Sequence, residues 1–125
     1  MASYTLSNGE NGYDIILNDG DQMEIQYGGF AESTGINVGG KLTVLNGGLA
    51  ETVYLDGGRL EVLTGGTAAN VCFTWTSDVD SEVTIRVDGG EINGLAGETR
   101  TSWWYNPLSI CITDDGVLRN ANFEQ

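Results

Sequence analysis

Three stretches of this 125-residue chain hold side chains whose types and spacing suit them to chemistry. Asp78, Asp80 and Glu82 alternate within Thr-Ser-Asp-Val-Asp-Ser-Glu at 76–82, gathering the hard carboxylate oxygens that Ca²⁺ takes as ligands. Trp103, Trp104 and Tyr105 place three rings in succession, and exposed rings offer flat apolar faces with polar rims suited to a sugar or a protein partner. Asp114 and Asp115 precede Gly116 and stand near Arg119; clustered carboxylates are the equipment of polysaccharide cleavage, which needs one on each side of a glycosidic bond.

Each stretch also has a plainer reading. At 76–82 the EF-hand pattern fails for want of the Gly and the terminal Glu, and the glycine-aspartate nonapeptide of calcium-binding β-rolls is missing, so a solvated loop is favoured there. Adjacent tryptophans on a strand point to opposite faces, so at most one is core, and the cluster suits the irregular end that caps a repeat array. Asp114 and Asp115 would diverge on a strand, and Asp-Asp-Gly is a common turn. The chain has no histidine, which removes Ser-His-Asp and Cys-His constellations, His-ligated zinc and the usual neutral-pH general base. Neither phosphate-cradling glycine motif is present, so nucleotide binding has no support. The expectation is a protein that is not an enzyme and carries no cofactor, with Ca²⁺ at Asp78, Asp80 and Glu82 as the metal to test.

Charge narrows the partners. Eighteen acidic residues against five basic ones give a formal charge of −13, and Lys41, Arg59, Arg86, Arg100 and Arg119 stand singly. Nucleic acid and anionic lipid or heparin-like partners are disfavoured on Coulombic grounds. No basic segment followed by an apolar run occurs in Met1 to Leu17, and nowhere do apolar residues run long enough to span a membrane. Cys72 and Cys111 make no disulfide framework; in equivalent columns of a layered fold two strands apart they would lie about 9.6 Å from each other, beyond disulfide reach.

What would position these groups is a repeat. Glycine pairs stand at Gly28-Gly29, Gly39-Gly40, Gly47-Gly48, Gly57-Gly58, Gly65-Gly66 and Gly89-Gly90. Between them a short and a long phrase alternate. The short phrase has Met23 and Ile25, Leu42 and Val44, Leu60 and Val62 at alternate positions. The long phrase has inward candidates two, five and seven residues after the pair: Ala31, Thr34 and Ile36; Ala50, Val53 and Leu55; Ala68, Val71 and Phe73. Period-2 alternation means strands with one buried face, and no helical period is seen, so no helix is expected over 18–95. Paired glycines suit sharp corners because Gly takes positive φ without a Cβ penalty. A competing arrangement makes each pair a hairpin turn of an antiparallel meander, but like segments recur at every second position, which fits coils stacked as parallel strands. The fold class expected is all-β, a single-stranded parallel β-helix or β-solenoid with irregular capping ends. It is one domain: a cap at 1–17, repeats at 18–100 with an insertion near 76–81 that delays Gly89-Gly90, and a cap at 101–125.

The phrase Gly-Gly-Leu-Ala-Glu-Thr-Val at 47–53, followed by Gly-Gly-Arg-Leu-Glu-Val-Leu-Thr-Gly-Gly-Thr-Ala-Ala-Asn-Val at 57–71, resembles the repeat of AIDA-type autotransporter adhesins. The resemblance implies a right-handed β-helix exposed on a bacterial surface, promoting adherence or self-association, with sugar modification of outward residues such as Thr43, Thr52 and Thr64. The functional expectation is a structural or adhesive module, extracellular or at the cell surface, whose partner is a protein or glycan surface or another copy. The alternative is a carbohydrate-binding module using Trp103, Trp104 and Tyr105.

Overall fold

The computed structural model describes residues 3–73, 83–98, 108–113, 116–119 and 122–124. These form fourteen strands and no helix: β1 (Ser3–Leu6), β2 (Asn11–Tyr13), β3 (Ile16–Leu17), β4 (Gln22–Ile25), β5 (Phe30–Asn37), β6 (Lys41–Val44), β7 (Leu49–Asp56), β8 (Arg59–Leu63), β9 (Thr67–Phe73), β10 (Val83–Asp88), β11 (Glu91–Glu98), β12 (Leu108–Thr113), β13 (Val117–Arg119) and β14 (Asn122–Glu124). They make two open sheets. One runs β1-β4-β6-β8-β10-β12; the other runs β13-β11-β9-β7-β5-β2, with β3 beside β5 and β14 beside β11. From β4 to β11 each short strand of the first sheet is followed by a longer one in the second.

All strand pairings within the sheets are parallel. The antiparallel meander is thereby excluded; the antiparallel contact among the described residues is an isolated bridge, Leu63 to Gly89. Register follows the repeat. Phe30 pairs with Leu49 and Leu49 with Thr67, offsets of 19 and 18 residues. Arg59 pairs with Thr84, an offset of 25, which absorbs the delay before Gly89-Gly90. The insertion expected at 76–81 lies outside the described residues.

Residues 3–17, read in the sequence as part of a cap, already carry the repeat pairing. Ser3–Leu6 pairs with Gln22–Ile25, Asn11–Tyr13 with Phe30–Glu32, and Ile16–Leu17 with Gly35–Ile36, all at an offset of 19, so the repeat geometry begins at Ser3. What hides it is the turn chemistry. Ser7-Asn8-Gly9-Glu10 and Asn18-Asp19-Gly20-Asp21 keep one glycine at positive φ, 90° and 86°. An acid replaces the second, its carboxylate accepting from the Ser7 or Asn18 backbone N–H at 3.1 and 2.9 Å.

The corner at Gly47-Gly48 shows why later layers need two glycines. Gly47 has φ 81°, and the Gly48 N–H donates to the Leu45 carbonyl at 2.9 Å, the pattern of a type II turn. Gly48 faces the layer beneath: a Cβ there would stand 2.5 Å from the Ile25 carbonyl oxygen. The first glycine answers to the turn and the second to close stacking. The corners are themselves laddered, Gly28 N–H donating to Gly47 O and Gly47 N–H to Gly65 O at 3.1 and 3.0 Å.

The core is a set of columns between the sheets. Met23, Leu42, Leu60 and Ile85 form one, Ile25, Val44, Val62 and Val87 a second, Ala31, Ala50, Ala68 and Ile92 a third, and Ile36, Leu55 and Phe73 a fourth; all are buried. Each Val, Leu, Ile, Met or Phe side chain so buried contributes roughly 1.5–3 kcal/mol, and each alanine methyl less. The step of three between Ala31 and Thr34 has a backbone cause. Ser33 takes φ 60°, and its counterparts Thr52 and Asn70 take 59° and 54°, so each long strand bends at one left-handed residue and alternation resumes beyond it.

Candidate functional site

Most residues singled out for chemistry fall outside the described ones: Asp78, Asp80 and Glu82, Trp103, Trp104 and Tyr105, and Asp114 and Asp115. Among the described residues no group of three or more His, Cys, Asp or Glu is placed to hold a metal ion, and no helix is long and apolar enough to cross a membrane. Cys72, a free thiol, is on β9 in the second sheet, whereas Cys111 is on β12 in the first. The two are therefore not in equivalent columns.

The outer faces of the sheets follow from the same alternation that builds the core, since a residue between two inward ones points out. On the first sheet these positions carry most of the described cations. Glu61 is buried, 8% exposed, on that outer face, with its Oε1 2.7 Å from Arg59 Nε and 3.7 Å from Lys41 Nζ. Arg86, on the next strand, pairs with Asp88 at 3.3 Å. The buried carboxylate between two cations is not visible in the sequence, because Lys41 is 20 residues away and only the register makes them neighbours.

On the outer face of the second sheet, beyond the bend, Ile16, Gly35, Tyr54, Cys72 and Ala96 form one column. Ile16 is 59% exposed and Tyr54 53%, large apolar groups on a solvent-facing column. Beside it, two residues further along each strand, stand Asn18, Asn37 and Asp56, and the Asn37 side-chain amide donates to Asn18 Oδ1 at 2.8 Å. Before the bend, Tyr13, Glu32 and Glu51 make another outward column. Tyr54 is legible in the sequence as an outward residue, being flanked by the inward Val53 and Leu55.

The three threonines implied as modification positions differ in access. Thr64 is exposed and its hydroxyl donates to the Asp88 carbonyl at 3.4 Å. Thr43 and Thr52 are half-buried, Thr52 at the bend.

No protein-family model matches the chain, and no curated protein matches it. Among solved structures it is similar to the crystal structure of the TibC-catalyzed hyper-glycosylated TibA fragment, at 18% identity and a TM-score of 0.46 over 93% of this chain. The chain spans 56% of that one's length.

Proposed function

We propose that the chain is a right-handed parallel β-solenoid serving as a non-catalytic structural and adhesive module at an extracellular or cell surface, without a resident metal or cofactor. Its partner is a protein or glycan surface, or a second copy of the chain. The observation that carries this reading is the register. Every layer lays its outward residues directly over those of the layer before, so side chains repeat at about 4.8 Å across flat faces that extend with the sheets. Such faces contact a partner over area and not in a cleft. The resemblance of 47–71 to the AIDA-type adhesin repeat supports the same reading.

Sedimentation equilibrium over a wide concentration range, with aggregation and cell adherence of protein-coated beads, tests it. Concentration-dependent association or bead adherence is expected; a strict monomer whose beads neither aggregate nor adhere overturns it.

A further inference from the structure

One corner of the stack is a residue short. Asn37 pairs with Asp56 and Lys41 with Arg59, but three residues join Asn37 to Lys41 whereas two join Asp56 to Arg59. Here the offset between layers falls from 19 to 18. At complete corners the glycine of positive φ hands its N–H to the next layer: Gly20 donates to Gly39 O and Gly47 to Gly65 O, at 3.1 and 3.0 Å. At the short corner that ladder stops. The Gly39 N–H has no acceptor among the described residues, and neither have the N–H groups of Gly57 and Gly58. Gly58 is buried, and a buried donor without a partner is what a bound water or ion satisfies.

Over this corner lies a cleft of about 350 Å³, with Gly39, Gly57, Gly58, Lys41, Arg59 and Thr84 in its lining. What they present is one-sided. Lys41 and Arg59 bring cations and Thr84 a hydroxyl, and no carboxylate of the described residues lines the cleft. Glu61, outside the lining, holds Arg59 through Nε at 2.7 Å and Lys41 more loosely at 3.7 Å, so one negative charge stands against two positive ones. The carbonyls of Gly40 and Gly58 are already engaged, accepting from the Arg59 and Thr84 N–H groups at 3.0 Å. Gly39 and Gly57 hold φ at 84° and 80°, and backbone N–H groups around such residues form concavities that bind anions. Donors in excess, with local positive charge on a chain of formal charge −13, select an anionic occupant. A metal cation would find no carboxylate ligand in this lining.

We propose that the cleft at the shortened corner binds a tetrahedral oxyanion, phosphate or sulfate, free or carried on a small molecule. Its oxygens accept from the glycine N–H groups and the Thr84 hydroxyl, and Lys41 and Arg59 supply charge-assisted hydrogen bonds. A carboxylate, with two oxygens, serves this donor set less fully. The site goes beyond the adhesive reading and does not rest on it.

The test follows the backbone amide signals of the full chain by NMR while inorganic phosphate, sulfate, glycerol 3-phosphate and acetate are each titrated at constant ionic strength against chloride. Saturable shifts of the Gly39, Gly57 and Gly58 amides are expected with phosphate or sulfate, at about millimolar strength and more weakly with acetate. Tighter binding of glycerol 3-phosphate than of inorganic phosphate identifies a carried group; equal binding identifies the free anion. Lys41→Gln should weaken binding about tenfold or more. Inserting one glycine between Gly57 and Gly58, which restores the corner to full length and leaves every charge in place, should abolish it, with circular dichroism confirming the fold of both variants. No shift beyond that seen in chloride overturns the site. Binding that survives both changes assigns the anion to general surface charge and overturns it equally.

Discussion

Thr52 and Asn70 occupy the same position in consecutive layers, each at the bend of its long strand and each in the left-handed region, at φ 59° and 54°. Asparagine tolerates that region; a β-branched residue there is held against its own preference at a cost of order 1–3 kcal/mol. Thr52→Asn should therefore raise stability by about 1 kcal/mol, read as a higher midpoint in urea unfolding with an unchanged slope. A midpoint that falls would mean the threonine makes a compensating contact.

Thr34 places a hydroxyl in an apolar column, 1% exposed and paired in register with Val53, which is followed by Val71 and Leu95. Thr34→Val keeps the β-branched shape and removes a buried polar group, so it should stabilise by about 1 kcal/mol in the same measurement.

Gly48 and Gly35 should respond to the same substitution in opposite directions. Gly48→Ala drives a Cβ toward the Ile25 carbonyl and should cost about 2–3 kcal/mol. Gly35→Ala adds an unopposed side chain to a strand and should gain about 0.5–1 kcal/mol. Thermal unfolding of both variants checks the sign of each.

Glu61 lies between Lys41 and Arg59, and removing its charge leaves two cations on adjacent strands facing each other. Glu61→Gln should cost about 1 kcal/mol at low salt, both cations being partly solvated. The difference from the parent should shrink at high salt, where repulsion between exposed charges is screened. A deficit independent of salt would assign the loss to packing.

How far the sequence carried the reading depends on whether the constraint was local. Alternation in Leu42 and Val44 or Leu60 and Val62, and the paired glycines between, are short-range requirements of strands and tight turns, and from them the layers and core columns were legible. The bend was half legible: the step from Ala31 to Thr34 recorded it, but Ser33, Thr52 and Asn70 share no residue type that announces positive φ. The first layer escaped because Glu10 and Asp21 stand where later layers need glycine. Among the described residues no strand lies beneath them, whereas a Cβ at Gly48 would strike one. The setting of the buried Glu61 beside Lys41 exists only through register, between residues 20 apart, which no local pattern reveals.

Because Lys41 stacks on Gln22 and Arg59 stacks on Lys41 in one unbroken register, the stretch from Lys41 to Gly58 is an interchangeable part. Excising it would join Gly40 to Arg59 through the corner at 37–40 and would set Leu60 on Met23 and Val62 on Ile25. Duplicating it would lengthen the molecule by one storey without disturbing any other. Genes encoding such a chain can change the reach of the product by whole-unit copying errors, while a slip of one codon within a strand would turn the side chains beyond it to the opposite face.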